Sequence, residues 1–90
     1  MKLLVPGTGS VIYDIVGYHD GEFYAMKSYG NTLAVLTVSA EILLEITAEE
    51  ARTIIHTPIP EEEIPTRMID PSRMHECNYW HWTDGEWYKT

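Results

Sequence analysis

The chain lacks most of what would assign it a chemistry. It has one cysteine in 90 residues, Cys77, which excludes an internal disulfide and suits a reducing compartment. Its six lysines and arginines face fourteen aspartates and glutamates. The resulting net charge of −8 argues against nucleic acid or an anionic membrane as partner. No apolar run approaches the ~18 residues needed to span a bilayer. Nor does a basic start followed by a long apolar stretch mark a secretory leader, so synthesis in the cytoplasm is expected. The glycine-rich segment Pro6–Ser10 has no phosphate-loop lysine and no helix after it, so it reads as a turn.

What remains is a globular composition, 44% hydrophobic and 22% charged, in a chain long enough for one domain. The acidity is concentrated. Residues 39–63 carry Glu41, Glu45, Glu49, Glu50, Glu61, Glu62 and Glu63 against Arg52 alone, whereas the segments on either side are each close to neutral. Such a block is a solvating face or a surface aimed at a basic partner. Glu49, Glu50, Glu61, Glu62 and Glu63 are the candidates for that surface.

The first half reads as strands joined by tight turns. Asp20-Gly21 between β-forming runs is a strong two-residue hairpin signal, and Gly30-Asn31 gives a second. Two-residue loops predict Tyr18 opposite Phe23, Val16 opposite Ala25 and Asp14 opposite Lys27. They also predict Met26 opposite Val35 and Tyr24 opposite Thr37. Both faces of that meander are apolar, so each needs a cover. A short turn and one more strand follow, over residues 38–46. This plan resembles SH3-like small barrels over roughly the first half of the chain. Thr47 and Glu50 form a capping-box pattern that predicts a short helix over residues 48–56, with Ala51, Ile54 and Ile55 inward.

Four of five prolines fall between residues 58 and 71, which predicts an extended arm over residues 57–73, neither helix nor central strand. Its apolar residues, Ile59, Ile64, Met68 and Ile69, are expected to anchor it on its own domain or on a neighbouring subunit. A C-terminal hairpin over residues 74–90 turns at Asp84-Gly85. It should set Trp82 opposite Trp87, with Trp80 on the same face and Tyr79, His81 and Tyr88 on the other. The fold class expected is therefore mainly β: a small antiparallel barrel or meander (residues 1–56) with one short helix, a proline-rich arm and an aromatic hairpin.

Catalytic signals are weak. His75, Cys77 and His81 would alternate on one strand face, but a closed zinc site needs four ligands. A Cys77–His81 nucleophile pair has no orienting third residue nearby. Neither cofactor nor enzymatic activity is expected. Residues 67–88 are instead rich in Trp, Tyr, Met and Arg, the types enriched at protein interfaces. Tyr18, Phe23, Trp80, Trp82, Trp87 and Tyr88, with the arm residues, are the candidate contacts. The expected role is a structural or interaction subunit, homo-oligomeric or within a larger complex. By analogy this would be a bacteriophage head decoration, connector or tail accessory protein, and the virion its location. The alternative is a small acidic inhibitor, such as a phage anti-defence protein, binding a basic host complex.

Overall fold

A strand that no turn signal announces, β1 (Lys2–Val5), opens the chain in the computed structural model, which describes residues 1–7 and 9–89. Thr8, within the expected Pro6–Ser10 turn, and Thr90 lie outside the described residues. Next come β2 (Val11–His19), β3 (Glu22–Tyr29), β4 (Thr32–Ser39), β5 (Leu43–Glu45), α1 (Ala48–Ile54), β6 (Arg67–Ile69), β7 (Asn78–Thr83) and β8 (Glu86–Lys89). The two Asp-Gly turns adopt positive φ at both central residues, 49° and 83° at Asp20-Gly21 and 52° and 80° at Asp84-Gly85. That mirror-image turn matches the twist of the strands it joins, and aspartate tolerates it where bulkier residues do not.

The strands form one sheet in the order β5-β6-β1-β2-β3-β4-β7-β8. All neighbours are antiparallel except β1 and β6. The sheet is open, so of the two expected plans, barrel or meander, a closed barrel does not form: β5 and β8 remain as edges. It is nevertheless curled. In a flat sheet β5 and β4 would stand ~24 Å apart, yet Ser39 and Leu43 are joined by a three-residue 3-10 turn, Ala40–Ile42, a chain that spans ~14 Å at most. A second 3-10 segment, Pro71–Glu76, crosses the same gap from β6 to β7. Arg73 links the two crossings, donating from Nε to Glu76 at 2.6 Å and from Nη2 to Glu41 at 3.2 Å.

The second hairpin has the expected register, Met26 opposite Val35 and Tyr24 opposite Thr37. The first keeps Tyr18 opposite Phe23, but a bulge between Ile15 and Gly17 shifts the rest by one. Ile15 therefore faces Ala25, and Asp14 faces Met26 rather than Lys27. Asp14 pairs with Lys2 of β1 instead. The shift turns Tyr13 and Ile15 onto the inner face, where Leu3, Ala25, Leu36, Val38 and Ile69 form the core with Ile42 and Cys77.

The helix begins where the capping box places it: the Glu50 N–H donates to Thr47 Oγ1 at 3.1 Å and the Thr47 N–H to Glu50 Oε1 at 2.9 Å. Ala51 is buried, while Ile54 and Ile55 are half-buried. The proline-rich arm is a correction. Its Arg67–Ile69 portion is a strand inside the sheet, parallel to β1 and antiparallel to β5, and Glu61–Glu63 is a 3-10 turn. Pro65 does not prevent this, because it precedes the strand and blocks no ladder hydrogen bond.

Leu3 and Leu4 point to opposite faces of β1 and both are fully buried, so the outer face is covered there as well. The segment after α1 does the covering. Ile59, Pro60 and Glu63 line a groove with Ile12, Asp14 and Ser28, and Glu63 meets Lys2 at 3.3 Å. No described residue covers that outer face at β3, β4, β7 and β8 in the same way.

Candidate interaction surface

The uncovered half of the outer face is built by strand alternation. Tyr24 of β3 lies opposite Thr37 of β4, Val35 opposite Trp80 of β7, and Leu33 opposite Trp82. Trp82 in turn faces Trp87 of β8, as the two-residue loop predicts, with ring centroids 5.4 Å apart and planes inclined by 59°. Trp82 and Trp87 remain 38% and 55% exposed, and Tyr24 39%. Together with Glu22, Asn78 and Lys89, several of these residues line an open groove of about 610 Å³. Two tryptophans this exposed in so small a chain form an apolar surface of the kind that marks a contact site.

The other candidates are dispersed. Tyr18 is exposed and stacks on Phe23 at 4.8 Å, but Phe23 packs against the core. Ile64 and Ile69 are 8% and 0% exposed in this chain's own interior, which corrects their expected place on a partner surface. Ile59 and Met68 are half-buried, in the segment over the outer face and in β6 respectively. Tyr88 is exposed on the opposite face to the groove and donates its hydroxyl to Glu86 at 2.9 Å.

Much of the acidic block is occupied internally. Glu41, Glu45 and Glu63 pair with Arg73, Arg67 and Lys2, and Glu50 caps α1. Glu49, Glu61 and Glu62 are exposed and have no ion pair among the described residues. Glu76 is held below the usual carboxylate range by its hydrogen bond from Arg73.

His75, Cys77 and His81 do not gather. His75 lies in the Pro71–Glu76 segment rather than on a strand, so it does not alternate with Cys77 as expected. Among the described residues no three metal-ligating side chains converge. Burial pushes the Cys77 thiol up to about 11 and, with the neighbouring Tyr29 hydroxyl, the Tyr13 phenol up to about 12. Their ordinary values are 9.0 and 10.0. Between those values the unfolded chain gives up protons that the folded chain retains. Stability that is complete below pH 9 should therefore fall as pH rises toward 12. A urea midpoint that holds steady to pH 9 and then declines is expected, with Cys77→Ala removing the first part of the decline. The buried thiol should also react with a disulfide reagent at neutral pH more slowly than in the unfolded chain.

The Tyr79 hydroxyl is buried with no hydrogen-bond partner among the described residues. An unsatisfied buried hydroxyl destabilises, so Tyr79→Phe should raise stability by about 1 kcal/mol. In a domain of this size that is a rise of roughly 4–8 °C in Tm, readable by calorimetry.

The groove is where pattern reading was least complete. Trp80, Trp87 and Lys89 are legible from the hairpin, which sets Lys89 opposite Trp80, but Glu22 and Tyr24 join them only because β4 lies between β3 and β7. Compared with known proteins, the chain matches no family model, no curated protein and no solved structure.

Proposed function

We propose that the chain is a non-enzymatic interaction subunit, self-associating or assembled with other proteins through the uncovered aromatic half of its outer face. The observation that carries this is the placement of Tyr24, Trp82 and Trp87 on one sheet face, exposed, while the other end of that face is covered by the chain itself. Rings held rigidly by strand pairing lose little entropy on contact, which is why Trp and Tyr dominate interface hot spots. A component of a symmetric assembly such as a phage virion is the biological setting this reading extends to, by analogy.

The alternative, an acidic inhibitor of a basic host complex, has less support, because internal pairing and capping occupy four glutamates of the acidic block. Light scattering coupled to size-exclusion chromatography separates the two. Apolar self-association persists or strengthens at high salt, whereas contacts between exposed charges are screened. A monomer at every concentration and salt level would end the self-assembly reading.

A further inference from the structure

The aromatic groove already holds a cation. The Lys89 ammonium lies 5.6 Å from the centroid of the Trp80 ring, and the Glu22 carboxylate belongs to the same lining. An aromatic face is the negative pole of the ring's quadrupole and attracts positive charge, the planar and weakly hydrated guanidinium most readily. Here ring systems come from three strands, Tyr24 from β3, Trp80 from β7 and Trp87 from β8, around a floor that includes Val35. The groove's volume exceeds what one side chain fills, and its carboxylate supplies a counter-charge. The whole chain carries −8, so its field draws basic partners in and turns acidic ones away.

We propose that this groove receives an arginine side chain from a basic segment of a partner protein. Tyr24, Trp80 and Trp87 stack on the guanidinium and Glu22 pairs with it. Lys89, on the exposed edge strand β8, is the resident cation that the arginine displaces. This names the partner chemistry of the surface proposed above and rests on that reading. It places recognition on Glu22 and the rings, not on Glu61 and Glu62.

The test titrates the full chain with the blocked peptide acetyl-Gly-Arg-Gly-Arg-Gly-amide, following indole fluorescence and the NMR shifts of the indole N–H groups. The Trp80 and Trp87 indoles should shift. Trp87→Ala should weaken binding about 10-fold and Glu22→Gln about 3-fold or more, while Lys89→Gln, which removes the competitor, should tighten it several-fold. Glu61→Gln with Glu62→Gln should leave affinity unchanged. Circular dichroism on each variant confirms that it is folded. The inference is overturned if the peptide leaves the indoles unmoved, or if affinity follows Glu61 and Glu62 rather than Glu22. It is equally overturned if the neutral oligosaccharide cellotetraose moves the same indoles as strongly. Light scattering on the same samples separates this inference from the reading beneath it. A monomer that binds the peptide defeats self-assembly alone, and an oligomer blind to the peptide defeats this inference alone.

Discussion

Ile69→Ala should lower folding stability by ~2–4 kcal/mol, a large share of the ~5–10 kcal/mol margin of a domain this small. Ile69 has no exposed surface. It lies in β6 opposite Leu43 of β5, within the cluster that includes Leu3, Leu36 and Val38. Truncating it removes the transfer energy of three carbons and leaves a cavity that the ladders on both sides of β6 cannot collapse to fill. Urea titration followed by circular dichroism should show the midpoint falling sharply, and Tm should drop by roughly 10–25 °C. Ile59→Ala, at a half-buried position in the covering segment, should cost less than ~1.5 kcal/mol. The contrast matters because a proline-rich arm reaching a neighbouring subunit makes the opposite prediction. In that case Ile69→Ala would leave the monomer's stability intact and weaken only association.

The arm shows where sequence reasoning stops. What is legible is what short-range chemistry decides. Asp20-Gly21 and Asp84-Gly85 fix their turns because few other residues accept positive φ twice in succession, and those turns carry the Trp82–Trp87 pair with them. Thr47 and Glu50 fix the helix start through two hydrogen bonds that span three residues. What is illegible depends on partners distant in the chain. Leu3-Leu4-Val5 has no alternation because β1 is buried on both faces, and a run of three apolar residues does not distinguish a strand from a loop end. Arg67-Met68-Ile69 follows Pro65 closely and looks like the continuation of an arm. Its strand character comes from β1 and β5, more than twenty residues away on the β5 side.

The bulge at Val16 has the same origin. Val11 to Tyr18 is rich enough in β-forming residues to extend the hairpin without interruption, and only Gly17 hints otherwise. A Cβ added at Gly17 would stand 3.9 Å from that of Tyr24, an ordinary van der Waals contact, so neither crowding nor backbone strain demands the glycine there. Missing the bulge puts Tyr13 and Ile15 on the wrong face. That in turn makes both faces of the meander look equally in need of cover. The structure resolves this unevenly: the inner face is closed by the sheet's own curl and its two 3-10 crossings, and the outer face is covered only at the β1 end. The aromatic half left open is what gives the chain a candidate site.

Trp82→Ser combined with Trp87→Ser should therefore separate folding from association. The two rings touch each other across β7 and β8, and both face solvent. A cross-strand aromatic pair in that setting stabilises by ~0.5–1.5 kcal/mol. The Asp84-Gly85 turn and the β4–β7 ladder do not depend on the rings, so the double variant should fold, with a Tm a few degrees lower. Association should suffer far more. Truncating one hot-spot tryptophan costs ~2 kcal/mol or more, and losing two should weaken assembly at least about a hundredfold even if their effects overlap. Sedimentation velocity across a dilution series reads that change directly. Tyr88→Ser supplies the control, because Tyr88 is comparably exposed on the same strand but points to the opposite face. It should leave assembly as it was. If Tyr88→Ser disrupts assembly and the tryptophan pair does not, the contact belongs to the inner-face side of the hairpin, and the uncovered half of the outer face has no part in it.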